Sequence, residues 1–479
     1  MELQLPFMSF VALRIVKTTV LFVNLKSTDF KNRTQERGEY LLKKLIALIM
    51  ACAMTVSLAA CSGGNSGSES AAANSSTSAS GEKVKITILG TLKDEVATEF
   101  KQEMEEYNKS QDKYEISSIP LDGTAMQKLT TLYAGGNAPT IFTSGQEAFT
   151  FKDKLLDLSN VDQVKQAQPG TTELMTDNGK VYGMPITVEA FGILYNKEIV
   201  DKAVGGTFDP STINTQDALK DLLAKIEKTG VSPDRISGVD WSLGAHVTNL
   251  MFTTQASSLS KNLQFMSDLE NGKVDLASNK IYNGWLDTLD LLLANNDSKK
   301  SPLAATYDDD ILAFAKGKTG LWFQGNWATP MIQQANASAD IGIMPYPISN
   351  NPSDYGNTQI SVGASQYFCV DASQSSKEQQ AGAIDFINWF FTSKTGQDYY
   401  VNKLKFIPAY KNITATPSDN LSKMVVNYMN GGKTLSWINM YYPGDGVTSL
   451  GASMQKYVAG KVDRKGLAKE LQTYWASKK

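Results

Sequence analysis

An alternation of strand and helix patterns, beginning at Lys83, is the strongest constraint on the fold. Apolar residues recur at every second position over Val84–Ile88, which predicts a strand. Asp94–Lys109 then carries its apolar residues on one helical face. The alternation continues with a strand, a helix and a short strand at Tyr114–Ile119, Ala125–Ala134 and Thr140–Thr143. This order favours an α/β fold with a parallel or mixed sheet.

Patterns of the same two kinds continue along the chain. Asn178-Gly179 predicts a tight hairpin turn between short apolar segments. Further strands are predicted at Pro185–Tyr195, Gly320–Gln324, Ile341–Met344 and Tyr367–Val370. Further helices are predicted at Asp217–Lys228, Asn249–Phe265, Asn279–Asn295, Asp308–Lys316, Lys377–Phe391 and Asp463–Trp475. A chain of 479 residues has room for two or three domains.

Composition and motifs exclude several classes of function. The formal net charge is −3, so the chain lacks the basic character typical of nucleic-acid-binding proteins. It contains 3 Cys and 1 His, which excludes a disulfide framework, most zinc sites and most Ser-His-Asp or Cys-His catalytic sites. The motifs G-x-S-x-G and H-E-x-x-H are absent. We therefore expect no metal, no cofactor and no nucleic-acid partner.

The segment before Cys61 has the layout of an export signal. Lys43-Lys44 precede the apolar run Leu45–Leu58, which is too short to span a bilayer. The following Leu58-Ala59-Ala60-Cys61 resembles a bacterial lipobox, in which the Cys thiol is lipidated and becomes the first residue. We predict a signal peptide at 41–60 and a lipid anchor, such as palmitate, on Cys61. A plain secretory signal is the alternative.

The segments on either side of this signal are not expected to form a core. Residues 1–40 do not fit a signal peptide, and we interpret them as an upstream mis-start or an unstructured segment. Residues 61–82 contain the lipidated Cys and the stretch Ser62–Gly81, which is rich in Ser, Gly and Ala and predicts a flexible tether. Lipid, tether and folded body together predict a location on the outer face of the cytoplasmic membrane, at the surface of a Gram-positive cell.

Five segments carry a resemblance to a known family. They are Pro185–Lys197, Phe314–Trp327, Ala383–Tyr400, Phe406–Ala409 and Gln455–Trp475. They resemble segments of the extracellular solute-binding proteins of carbohydrate ABC importers, the family that includes maltose-binding protein. In the order given, they resemble that family's first inter-lobe crossover, its F-x-x-G-K-x-[AG]-M…G-x-W segment, the helix before its third crossover, the third crossover itself, and its C-terminal helices. Leu321 replaces the Met of the second segment.

The resemblance implies an α/β, two-lobe, periplasmic-binding-protein-like fold of type II with three inter-lobe crossovers. Lobe 1 is expected to contain 83–188 and 346–408, and lobe 2 to contain 189–345 and 409–479. The ligand would lie in the cleft between the lobes. Clefts at strand ends are common ligand sites, and hinge closure around a ligand is documented for periplasmic binding proteins.

A sugar has an apolar face and a rim of hydroxyl groups, so its site needs aromatic rings together with carboxylates or amides. Trp327 has the family's G-x-W position, where an aromatic residue stacks on the ligand; core packing is the alternative. Glu189 resembles a residue that lines the maltose site, although it could instead form an interlobe salt bridge. Glu147 is placed like the family's sugar-contacting acid, but the usual neighbouring Arg is Ala148 and an expected aromatic is Ser144.

Other candidates follow from their positions in the chain. They are Trp241, His246, Trp437, Tyr442, Asp445 and, as a weaker candidate, Lys93. Trp241 and His246 lie between a predicted strand and a helix, and one of them is expected to reach the cleft, although a lone His is often structural. The other aromatic residues belong to a loop before the last helices, which could also be an exposed or lobe-packing patch.

These features predict a monomeric binding protein that captures a sugar or oligosaccharide by lobe closure and delivers it to an ABC permease in the membrane. It would perform no chemistry. The same fold could instead bind a peptide or a polyamine. A secreted glycoside hydrolase would need two carboxylates flanking a scissile bond, and nothing in the sequence marks such a pair.

Overall fold

The computed structural model describes residues 82–479, apart from residues 91, 146, 169 and 416 and the side chains of 144, 147 and 149. The predicted mis-start, signal peptide, lipidated Cys61 and most of the tether lie outside the described residues. Between 82 and 479, the strands form two large sheets and one hairpin. Over the same residues, no helix is both long enough and apolar enough to cross a membrane.

The first sheet is mixed. Its strands are β1 (Val84–Leu89), β2 (Tyr114–Ile119), β3 (Ile141–Ser144), β6 (Met184–Pro185) and β12 (Tyr367–Val370), in the order β2-β1-β3-β12-β6. Strand β1 pairs in parallel with β2 and β3, whereas β12 is antiparallel to β3 and β6. The hairpin consists of β4 (Thr176–Asp177) and β5 (Lys180–Val181). Its turn residues, Asn178 and Gly179, have φ angles of 49° and 77°, which confirms the predicted tight turn.

The second sheet is built around one buried strand. Its strands are β7 (Glu189–Asn196), β8 (Ser232–Arg235), β9 (Thr319–Gly325), β10 (Ile341–Met344), β11 (Ile360–Gly363) and β13 (Thr434–Leu435), in the order β13-β11-β7-β9-β8, with β10 also paired to β7. Phe191, Ile193 and Tyr195 of β7 pack into one apolar cluster, and Ala190 and Leu194 pack into another. Burial on both faces explains why this strand is apolar at almost every position.

Helices connect and cover these strands. They are α1 (Ala97–Ser110), α2 (Ala125–Ala134), α3 (Glu147–Phe151), α4 (Lys197–Val204), α5 (Gln216–Glu227), α6 (Thr248–Thr253), α7 (Leu259–Glu270), α8 (Lys280–Asn295), α9 (Tyr307–Ala315), α10 (Thr329–Ala335), α11 (Lys377–Thr392), α12 (Lys394–Asp398), α13 (Asn420–Asn430), α14 (Gly446–Val458) and α15 (Arg464–Ala476). The single helix predicted at Asn249–Phe265 is wrong, because α6 and α7 are separate. Ser258 has an extended backbone and its side chain accepts a hydrogen bond from the Lys261 N–H, which starts a new helix.

The chain passes between the two sheets three times. The first crossover is 186–188, between β6 and β7, and the second is 364–366, between β11 and β12. The third lies between Asn412, whose side chain bonds Gln163 near the first sheet, and Asn420, whose amide donates to the Ile341 carbonyl of the second sheet. A bridge between Val188 and Ile407 joins the first crossover to the segment that leads to the third.

Strand pairing places the second crossover later than the lobe boundary predicted at 345/346. Strand β11 lies inside the range predicted for lobe 1, yet it pairs with β7 in the second sheet. The third crossover also begins after Asn412 rather than at 409. Both differences arise because membership of a sheet is decided by the partner strand, which lies far away in the sequence.

Glu103 is an ionisable residue at a position that favours an apolar side chain. It lies on the buried side of α1, is fully buried, and neither carboxyl oxygen has a hydrogen-bond partner. Burial raises its pKa well above the ordinary value of 4.5. The folded protein therefore favours a neutral Glu103, and ionisation of this group opposes folding.

We expect Glu103→Gln to stabilise the protein in a pH-dependent way. Because the folded-state pKa is raised, the wild-type protein loses stability as the pH rises above about 4.5, whereas the amide does not titrate. The variant should melt a few degrees higher than wild type at pH 8, and the difference should shrink towards pH 4.5. Glu105→Gln, on the exposed side of the same helix, is the control and should change little. A difference in melting temperature between Glu103→Gln and wild type that stays constant from about pH 4.5 to pH 8 would contradict the raised pKa of Glu103.

Candidate functional site

The site is centred on Glu189, a buried carboxylate at the first residue of β7. One carboxylate oxygen accepts a hydrogen bond from Lys93 Nζ, and the other accepts a hydrogen bond from Ser365 Oγ. Lys93 follows β1 of the first sheet, and Ser365 lies in the second crossover. A buried charge is stable only when it is paired and hydrogen-bonded, so these contacts hold the ends of three chain segments together.

Phe191 lies two residues after Glu189, so both side chains project from the same face of β7. Its ring centroid is 4.7 Å from that of His246, 5.1 Å from that of Trp437 and 6.3 Å from that of Trp327. The aromatic rings therefore lie beside the Glu189–Lys93 pair. We refer to Phe191, His246, Trp327 and Trp437 as the aromatic cluster.

Trp327 is positioned by the end of β9. The Ala190 N–H donates to Asn326 Oδ1 at 2.8 Å, which fixes the short 3₁₀-helix Asn326–Ala328 against β7. The indole then lies directly against Gly325, where a Cβ atom would come within 2.1 Å of the ring. Lys93 Nζ is 5.4 Å from the Trp327 ring centroid, within the range of a cation–π interaction. Trp327 is partly exposed, whereas Trp437 is buried.

Trp241 and Tyr307 extend the site. Their rings meet edge-to-face at 5.2 Å, and Trp241 is also 5.5 Å from His246. The Tyr307 hydroxyl, at the start of α9, donates to Glu95 Oε1 at 3.3 Å. Burial raises the pKa of Glu95, while nearby Lys93 acts in the opposite direction. Glu95 follows β1 closely, so a second polar contact joins the first lobe to the second.

His246 lies in a π-helical turn, Ser242–Val247, which continues into α6. π-Helical turns occur frequently at functional sites because the extra residue redirects a side chain. Burial, assisted by the positive charge of Lys93, lowers the pKa of His246 to about 3. The imidazole is therefore neutral at physiological pH and contributes a flat aromatic ring with one N–H donor and one acceptor.

The structure brings five of the predicted site residues together. They are Trp327, Glu189, Trp241, His246 and Trp437. The weaker candidate Lys93 also belongs to this group. The described residues that the sequence analysis missed are Phe191, Tyr307, Glu95 and Ser365. The two-residue period of a strand would have placed Phe191 beside Glu189, but no local pattern marks the other three.

The remaining candidates are not part of this group. Tyr442 is buried in the second lobe, where its ring packs 5.3 Å from Phe252 and 5.6 Å from Trp475. Asp445 is exposed and accepts a hydrogen bond from Lys478 at 2.6 Å, which, together with the Tyr474 hydroxyl, lowers its pKa. The side chain of Glu147 lies outside the described residues. Among the residues that are described, no group of three or more His, Cys, Asp or Glu side chains is arranged to hold a metal ion.

A sequence model of the bacterial extracellular solute-binding proteins matches residues 102–425, more than half of the chain. The chain belongs to this family. Multiple sugar-binding protein of Streptococcus mutans is 26% identical over 344 residues, which is 69% of this chain and 77% of that protein. The diacetylchitobiose binding protein DasA of Streptomyces coelicolor is 27% identical over 339 residues, which is 67% of this chain and 74% of that protein.

Structural similarity confirms the predicted fold class. The solute-binding protein RafE, solved in complex with raffinose, superimposes with a TM-score of 0.69 at 21% identity. The match covers 82% of this chain and 99% of the RafE chain. The two-lobe, type II periplasmic-binding-protein fold expected from the sequence is therefore the fold of this family member.

We expect His246 to remain neutral through the physiological range. It is the only His in the chain, so its imidazole proton resonances are unambiguous in an NMR titration of protein without a His tag. These resonances should not shift between about pH 8 and pH 5, whereas the urea-unfolded protein should titrate near 6.5. Since the unfolded chain binds this proton more readily, His246 makes the fold less stable as the pH falls below 6.5. A midpoint near 6.5 in the folded protein would contradict the desolvation of this imidazole.

Proposed function

We propose that this protein is the substrate-binding lipoprotein of an ABC importer and that it captures a sugar or oligosaccharide between its lobes. The observation that carries the proposal is the contact of Glu189, Lys93 and Trp327 at the junction of the lobes. It combines an aromatic face with charged hydrogen-bonding groups. That combination suits a sugar ring, whose C–H face packs on an aromatic ring while its hydroxyl groups bond to charged side chains.

The proposed contacts have distinct roles. The partly exposed Trp327 is the proposed stacking residue, and Trp241 and His246 extend the aromatic surface beside it. Glu189 and Lys93 would bond the hydroxyl rim. The buried Trp437 would support the other rings from behind rather than stack on the ligand.

The charges of the site favour a neutral ligand. Glu189 is already paired with Lys93, so its negative charge is balanced within the protein. A polyamine would need several carboxylates without cationic partners, and a peptide would need groups for its backbone and termini. The names of the relatives point in the same direction, because those proteins bind multiple sugars and diacetylchitobiose, and RafE was solved with raffinose.

Closure of the lobes would link ligand binding to transport. Lys93 and Glu95 belong to the first lobe, whereas Trp327 and Tyr307 belong to the second, so a ligand that contacts both groups stabilises the closed arrangement. A permease that prefers the closed form would then receive only loaded protein, and a monomer would suffice. We propose that the protein performs no chemistry on its ligand.

A ligand screen by thermal melting tests the proposal. We expect raffinose, a maltodextrin or diacetylchitobiose to raise the melting temperature by mass action, and spermidine and a short peptide to leave it unchanged. Chromatography after incubation should recover the oligosaccharide intact. Stabilisation by the peptide or spermidine alone, or appearance of hydrolysis products, would replace the proposal with one of the alternatives.

We expect Trp327→Ala to weaken binding of the oligosaccharide found in this screen by about 2–4 kcal/mol, because a central aromatic anchor is lost. Isothermal titration calorimetry measures the change. Trp389→Ala is the matched control, because this partly buried Trp packs against Tyr107 in the first lobe, away from the aromatic cluster. Equal affinities of Trp327→Ala and wild type would reject the stacking role.

The proposed lipid anchor makes a separate prediction. Cys61→Ser removes the thiol that would be acylated, so the variant should be released from cells into the medium or remain as an uncleaved precursor. Wild-type protein should partition into the detergent phase, and Cys369→Ser, a change at a buried Cys of the folded body, should partition likewise. A Cys61→Ser protein that has lost its signal peptide and still partitions into the detergent phase like wild type would contradict lipidation at this residue.

A further inference from the structure

A cavity lies at the junction of the three crossovers. Its volume is about 510 Å³, within the range typical of small-molecule sites. Val188 of the first crossover, Ala364 of the second and Ile413 of the third all line it. Among the described residues that line it, Trp437 also belongs to the aromatic cluster, whereas Glu189 and Trp327 do not line it. The cavity therefore borders the proposed sugar site through Trp437, while Glu189 and Trp327 lie outside its walls.

The described lining of this cavity contains one charged group, and it is negative. Glu173 is the only Asp or Glu among the described lining residues, and none of those residues is Lys, Arg or His. Tyr367 and Tyr441 line the same cavity. Burial raises the pKa of both phenols, and the negative charge of Glu173 acts in the same direction on each. No ion pair involving Glu173 occurs among residues 82–479 that the structure describes.

The rest of the wall is mixed: polar residues such as Gln168, Thr171 and Asn430 line part of it, and apolar residues line another part. Leu174, Val426, Met429 and Met440 are among the lining residues. Glu173 is exposed, whereas Tyr441, Met429 and Met440 are partly buried, so the carboxylate meets solvent while the apolar side chains are partly shielded from it. An aromatic ring beside a carboxylate is a favourable environment for an ammonium group, and apolar walls accept its alkyl substituents.

From this arrangement we propose that the crossover cavity is a second binding site, which takes a small organic cation with an apolar body. The cation would lie between the Glu173 carboxylate and the Tyr441 ring, with its alkyl part against Leu174 and Met440. An anion would be repelled by Glu173, the one charged group among the described lining residues. This proposal does not depend on the identity of the sugar, because it uses a different set of residues.

Choline and 3,3-dimethylbutan-1-ol test the proposal, because they have nearly the same shape and differ in charge. We expect the full-length protein to bind choline with a Kd of about 1 mM or tighter, measured by saturation-transfer NMR on the methyl protons. The uncharged alcohol should bind at least threefold more weakly. Glu173→Gln and Tyr441→Leu should each weaken choline binding about threefold, because each removes one partner of a partly exposed cation.

The control is Glu198→Gln, which removes an exposed carboxylate from α4, away from the cavity. It should bind choline like wild type. Circular dichroism of each variant establishes that the fold is retained. Absence of choline binding, equal binding of choline and the alcohol, or equal weakening by Glu173→Gln and Glu198→Gln would each overturn the proposal.

Discussion

The burial of the Glu189 carboxylate is the constraint on which the junction of the lobes depends. A charge in this position must be balanced, and its partners come from the loop after β1 and from the second crossover. Strand β7 cannot start at Glu189 unless those two segments reach the same place. Once they do, the alternation of β7 brings Phe191 onto the same face, and His246, Trp327 and Trp437 pack around its ring.

Lys93 is the cation that organises the electrostatics of this junction. It pairs with Glu189, lies over the Trp327 ring and helps to hold His246 in the neutral form. Glu95, two residues further along, accepts a hydrogen bond from Tyr307 of the other lobe. One short segment after β1 thus supplies a positive and a negative group to a surface that is otherwise aromatic.

Local patterns predicted the elements but not all of their partners. Strand β2 and helix α2 match the sequence prediction residue for residue, because periodicity depends only on neighbouring positions. Strand β11 was missed, since Ile360–Gly363 contains only two large apolar residues, and its place is decided by pairing with β7. The lobe boundary predicted before it was displaced for the same reason.

The candidate site shows a similar limit. Trp327 and Glu189 could be identified through family resemblance, and Trp241 and His246 through their position between elements. Tyr442 is close to Trp437 in the sequence, but the 3₁₀-helix Ile438–Tyr441 lies between them. The Tyr442 ring therefore packs into the core, against Phe252. Tyr307 and Glu95 meet only in the folded chain, because more than two hundred residues separate them.

The contact between Gly325 and the Trp327 indole has a consequence for the evolution of ligand preference. The ring occupies the space that a side chain at 325 would need. A methyl group at that backbone position would require the indole or the backbone to move. Residue 325 therefore sets the orientation of the proposed stacking ring, so the proposed ligand preference would depend on this position as well as on the tryptophan.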